Sequence, residues 1–159
     1  MKTVKANEQE IAEIVAALKE NPLRLRKATS KVKNADLHVR DSKTSWSAND
    51  ILAHLRACAD VWSGTIEQML ADEMPKLPDI HPRKWITQTD YLKLDFHGSF
   101  SAYANQREKL LKILMKLPFE DWSRGAIIGG RIHTVFTQTR RIAKHETQHC
   151  EQIEELLKK

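Results

Sequence analysis

Apolar residues recur along this chain at the three- and four-residue steps of an amphipathic helix, and that period restricts it to a helical architecture. The first stretch puts Ile11, Ile14, Val15 and Leu18 on one stripe, after which Pro22 is expected to interrupt the helix and restart a second piece through about Val32. Lys33–Ser45 is polar and aperiodic, and reads as a connection. A second helix opens at Ser47, an N-cap with Asp50 three residues on and Trp46 placed to staple the chain against it. It runs through Ile51, Leu55, Cys58, Trp62, Ile66 and Met69. A third, from about Thr87 to Lys116, carries Phe96, Phe100, Tyr103, Leu110 and Leu114; Arg107 fills the gap in that stripe, and is expected at its edge with its stem packed, the alternative being that it faces a polar cavity. A fourth, roughly Thr134 to Leu157, carries Phe136, Ile142, Ile153 and Leu156. Ala126-Ile127-Ile128 is the sole β-leaning fragment, and five Gly and five Pro in 159 residues favour helices over strands and turns. The expected fold is all-α, a four-helix bundle with long connections, in one domain spanning residues 1–159.

Composition removes several function classes. With 41% hydrophobic and 30% charged residues the chain is ordinary globular material, not disordered. No apolar run approaches the ~20 residues that cross a bilayer. The opening MKTVKANEQEIAEIVAALKE carries acidic residues through its apolar part, unlike a signal peptide, so a cytoplasmic location without a membrane partner is expected. Cys58 and Cys150 are too few and too far apart for a disulfide framework or a C-x-x-C pair. The net charge of +5 is spread along the chain, and its densest cluster (Arg24, Arg26, Lys27, Lys31, Lys33) reads as solvated helix surface, so nucleic acid is not an expected partner.

His145-Glu146-Thr147-Gln148-His149 is the sharpest local signal. Two His at i and i+4 share one face of a helix, where both imidazoles can reach a single metal ion. They also continue the buried series of Ile142, Ile153 and Leu156, and buried neutral imidazoles need partners. The string fits H-E-x-x-H, but the -x-x-G-x-x-H extension of one zincin class is absent, and the ten residues after His149 hold no further helix to supply a third ligand. A zincin protease is therefore not expected. Glu146 is a proton shuttle if it faces the ion, but it lies ~100° around the helix from His145, a position that also suits a solvated carboxylate. A third ligand is better sought upstream, at His54, which borders the core face of the second helix between Ile51 and Cys58. His38, His81, His97 and His133 fall in loops or on less buried faces, with His97 held in reserve as a ligand.

Trp46-Ser47 followed by Ile51-Leu52-Ala53-His54-Leu55, then Leu77-Pro78-Asp79, Leu117-Pro118 with Asp121-Trp122, and the closing His145-x₃-His149-x₂-Gln152-Ile153 resemble, in order and over nearly the whole chain, the DinB/YfiT-like superfamily of helical metal-binding proteins. The resemblance implies a four-helix bundle, a homodimer, and a metal held by one His of the second helix and two spaced by four on the last, which match His54, His145 and His149. Three imidazoles leave a divalent ion coordination positions for substrate, as catalytic sites do. Zn or Ni is the first expectation, with Fe and Mn admitted by the same ligands. The characterised relatives implied by the resemblance use low-molecular-weight thiols such as bacillithiol or mycothiol. A metal-dependent thiol S-transferase acting on a small-molecule thiol and an electrophile is thus the leading expectation. A metal-dependent hydrolase and a non-catalytic, metal-stabilised stress or partner-binding protein stay open beside it.

Overall fold

The four apolar stripes form four long helices in the computed structural model, which describes residues 4–158. Helix α1 (Glu8–Thr29) is followed by the single turn α2 (Asn34–Leu37) and by α3 (Ala48–Ala71). A two-residue strand β1 (Lys76–Leu77) and the turn α4 (Pro82–Trp85) lead to α5 (Phe96–Met115). Strands β2 (Gly125–Ile128) and β3 (Arg131–Thr134) then run into α6 (Val135–Leu156). Helix α1 packs on α5 and α6, and α3 packs on the same two. Both apolar clusters of the interior draw on all four helices, one around Trp62, Leu110 and Phe136, the other around Leu25, Ile51, Tyr103 and Ile153. Among the described residues, no helix is long and apolar enough to cross a membrane.

Pro22 does not divide α1. The buried series Ile14, Leu18, Asn21, Leu25 and Thr29 runs straight past it, so packing against α6 holds both sides of the proline in one helix. Helix α3 starts where Ser47 places it: the Ser47 hydroxyl accepts the Asp50 N–H at 3.0 Å and the Asp50 carboxylate accepts the Ser47 N–H at 2.9 Å. Arg40 adds two bonds to the same carboxylate, at 2.7 and 3.0 Å, which ties the preceding connection to the cap. Ser47→Ala should therefore lower stability by about 1 kcal/mol, read as a fall in the urea midpoint at unchanged slope; a midpoint within error of wild type would show that Arg40 and Asp50 hold this end alone.

Helix α5 begins at Phe96, nine residues later than its periodicity suggests. Residues 82–93 fold instead into α4 and two short 3₁₀ turns gathered around Asp60 of α3. The Asp60 carboxylate accepts Trp85 Nε1–H at 3.0 Å, Tyr91 O–H at 2.6 Å and the Gln106 side-chain amide, and three donors on one buried-side acceptor outcompete helix continuation. Arg107 is not at the stripe's edge. It is 1% exposed and paired with Glu146 of α6, which is 3% exposed and so not turned toward solvent.

The three-stranded sheet goes beyond the single β-leaning fragment of the sequence. β2 pairs antiparallel with β3 (Ala126 opposite His133) through a Gly129-Gly130 turn in which both glycines have positive φ, 57° and 79°. β1 adds in parallel, Lys76 opposite Ile127. This sheet leads directly into Thr134, whose side chain caps α6 by accepting the Thr137 N–H at 3.1 Å.

Candidate metal centre

Because α3 and α6 pack side by side, the second turn of one faces the middle of the other. His54 comes from α3; His145 and His149 come from α6, one turn apart. The three rings converge, with centroids 5.1 Å apart for His54 and His145, 5.0 Å for His54 and His149, and 4.4 Å for His145 and His149. Their Nε2 atoms face one another: His54 to His145 is 3.2 Å, and His145 to His149 is 3.1 Å. The other four histidines lie apart from this cluster. His38 pairs with Asp95, His81 caps α4, His133 sits on β3, and His97 lies exposed on the first turn of α5 against Phe96.

Hydrogen bonding within the cluster does not account for this geometry. His149 Nδ1 lies 2.8 Å from Gln152 Oε1, an acceptor, so its proton sits there and its Nε2 presents a bare lone pair to the cluster. The single in-plane site of His145 Nε2 either donates or accepts, so it cannot donate toward His149 and accept from His54 together. A cation facing all three lone pairs has no such conflict. Two nitrogens ~2.05 Å from one ion lie about 3.3 Å apart at a tetrahedral angle and about 2.9 Å apart at a right angle, and the observed 3.1 and 3.2 Å fall between. The Gln152 contact is the kind of outer bond that fixes a ligating imidazole's tautomer.

The rings are also held neutral. Burial, then the neighbouring imidazole of His149 and the positive charge of Arg83, push His54 down to about 4. Burial together with the two other cluster histidines and Arg141 push His145 down to about 3. His149 is lowered by the same burial. Neutral imidazoles are the form that binds metal. The aromatic walls supply the burial: Trp46 lies 5.2 Å from His54 and stacks at 6.5 Å on His149, and Trp62 meets His145 edge-on at 4.9 Å.

Cys58 is the residue that sequence reasoning assigned only to the apolar stripe. One turn after His54, its Sγ is 3.5 Å from His54 Nε2, and the donor atoms of His54, Cys58 and His145 lie within 4.8 Å of one another. A sulfur ~2.3 Å and a nitrogen ~2.05 Å from one tetrahedral ion are about 3.6 Å apart. Burial pushes this thiol up to about 12, so without an ion it is protonated. The i, i+4 spacing of His54 and Cys58 carried the signal; it was hidden because Cys at a core position packs as a small hydrophobe. Glu146, by contrast, points away from the cluster to Tyr103 and Arg107.

A family model described as the DinB superfamily matches residues 17–153. No curated protein matches the chain by sequence. Among solved structures, YfiT from Bacillus subtilis, described as "a probable metal-dependent hydrolase with an unusual four-helix bundle topology", superposes with a TM-score of 0.79 at 19% identity, covering 98% of this chain and 90% of that one. The mycothiol-dependent maleylpyruvate isomerase superposes with a TM-score of 0.70 at 13% identity, covering 90% of this chain and 60% of that one, so this chain spans well under two thirds of that structure. At these identities the likeness establishes the fold.

Proposed function

From a chain that belongs to the DinB superfamily, we propose a metal-dependent enzyme that holds one divalent ion, zinc or nickel, on His54, His145 and His149 and transfers a small-molecule thiol to an electrophile. The observation that carries this reading is that the neutral His145 Nε2 lies 3.2 Å from His54 Nε2 and 3.1 Å from His149 Nε2, across two packed helices. A divalent ion there supplies Lewis acidity, which lowers the pKa of a coordinated thiol or water. The chain's own groups do the rest: Gln152 fixes the His149 tautomer, and Trp46 and Trp62 shield the cluster from solvent. The mycothiol-dependent isomerase among the structural neighbours supports a thiol cosubstrate, and the YfiT description supports hydrolysis as the alternative. The experiment is a screen of metal-loaded protein with low-molecular-weight thiols and electrophiles such as chlorodinitrobenzene, with the His145→Ala variant as blank. Thiol-dependent turnover lost in that variant upholds transfer; turnover of esters or amides without thiol moves the assignment to a hydrolase.

A second reading rests on Cys58. If its sulfur joins the three imidazoles, the ion has four protein ligands and ties α3 to α6 without an open position, which is a structural site. Cobalt(II) substitution separates the two. Three imidazoles and an open position give weak visible bands and no strong near-ultraviolet band, and Cys58→Ala leaves that spectrum unchanged. An intense sulfur-to-cobalt charge-transfer band that disappears in Cys58→Ala would establish the closed site.

A further inference from the structure

The charges around the cluster are lopsided. Arg141, one turn before His145 on the same face of α6, lies over the Trp62 ring at 4.5 Å, and that indole in turn meets His145. Arg83 of α4 lies over Trp46 at 5.7 Å, and that indole touches both His54 and His149. Each tryptophan thus carries a guanidinium on one side and an imidazole of the cluster on another. Among the described residues neither Arg83 nor Arg141 forms a salt bridge: Glu146 is spent on Arg107 and Tyr103, and the neighbours that act on His54 and His145 are positive groups or imidazoles.

Beside the cluster, Trp62 and Arg141 form part of the wall of a cleft of about 510 Å³, large enough for a small metabolite. Arg131 and His133 of β3, His81 and Asp79 supply its other ionisable groups, beside the neutral Thr65 and Gln138. Among the described residues neither Arg131 nor Arg141 forms a salt bridge. His81 accepts the Arg83 N–H on Nδ1 at 3.2 Å, so its Nε2 carries the proton and is a donor. The acid of the cleft, Asp79, packs against the Gly129 turn and acts on His133. Two guanidinium forks and an imidazole donor against one carboxylate make a receptor for an anion.

We propose that the substrate worked on at the histidine cluster carries an anionic oxygen group, a carboxylate or a phosphate, that lies in this cleft on the guanidinium of Arg141, with Arg131 at its rim. This rests on the metal-enzyme reading for the word substrate, while the anion site itself is a property of the cleft. Arg141 presents a planar pair of N–H donors that matches either oxyanion. Its place one indole from His145 sets the charged end of the ligand beside the reacting end. The chemistry favours small organic acids or phosphate esters over neutral or cationic electrophiles.

The test is calorimetric titration of the protein as purified with three probes: succinate, inorganic phosphate and neutral succinamide. Metal content is measured on the same samples. Succinate or phosphate should bind and succinamide should not, and the tighter of the two anions identifies the carboxylate or phosphate class. Arg141→Ala should weaken the anion by about tenfold or more at unchanged metal content. Lys144→Ala, which removes the same charge from the same helix at a position outside the cleft lining, should leave affinity within about twofold. Equal weakening by both variants, binding of succinamide as tightly as succinate, or no effect of Arg141→Ala would each overturn the proposal. A sample without metal in which Arg141 still governs succinate affinity would upset the metal reading and leave the anion site standing.

Discussion

Untagged wild-type protein should carry about one divalent ion per chain, and His54→Ala, His145→Ala and His149→Ala should each lose nearly all of it. The expectation follows from a cluster of three imidazoles in which the nearest further donor is the protonated thiol of Cys58. Removing one imidazole leaves two nitrogens, on one helix or on two, where His145 Nε2 stood within 3.2 Å of both others. The affinity loss should exceed the 10- to 100-fold typical of losing an outer-shell partner, a loss that Gln152→Ala itself should show. His133→Ala, on β3, should retain the wild-type content. Elemental analysis of wild type and the five variants is sufficient, and equal metal content in the three cluster variants and His133→Ala would sink the assignment.

Acid adds a second arm to the same experiment. The unfolded chain's histidines protonate near 6.5, whereas folded His54 and His145 resist down to about 4 and about 3. As pH falls through that window the unfolded state binds more protons than the folded one, so stability decreases with falling pH and is fully recovered above the unfolded value. Metal-stripped wild type should thus lose more of its urea midpoint between pH 7 and pH 5 than His145→Ala does. A metal-stripped wild type whose midpoint is flat over that range would mean the imidazoles are not desolvated as the walls of Trp46 and Trp62 require.

The four helices were readable because their stripes report burial, and burial decides helix packing more than local preference does. For the same reason Pro22 misled: a local breaker sat on a stripe that continues from Leu18 and Asn21 to Leu25. Ser47 succeeded since its cap is made by residues three apart, whereas the breakup of residues 87–95 is dictated by Asp60, twenty-seven or more residues upstream. The strands were nearly invisible: two to four residues are too few to show a period of two, and only the β-leaning Ala126-Ile127-Ile128 fragment, now part of β2, gave a sign of them. Within the candidate site, the spacing of His145 and His149 is local and was legible, and His54 followed from the resemblance and from its place at the edge of a core face. Cys58 and the two tryptophan walls depend on which turn of α3 meets which turn of α6. Arg107 and Glu146 could not be placed from sequence for one shared reason, since neither position is decided until its partner 39 residues away is known.

That buried pair underlies the second large effect. Glu146→Ala should destabilise the fold by about 3–5 kcal/mol, because it leaves the guanidinium of Arg107 charged and without its counterion in the interior. Burial already pulls the Arg107 pKa below its ordinary value, which marks the position as a costly one for a lone charge. The Tyr103 hydroxyl, 2.8 Å from the same carboxylate, would lose its acceptor as well. Replacing the pair together, Arg107→Met with Glu146→Leu, removes both charges and should cost less than Glu146→Ala alone. Urea unfolding of Arg107→Met, Glu146→Leu and the double variant closes the cycle, and additive losses would show that the two side chains do not depend on each other. The same variants decide what Glu146 is for. Its neighbour His145 needs α6 anchored on α5, so a positioning role predicts that folded Glu146→Gln keeps its metal and loses stability. Wild-type stability in Glu146→Gln together with lost turnover would instead make this carboxylate a proton-transfer group, and the H-E-x-x-H reading would have to be reopened.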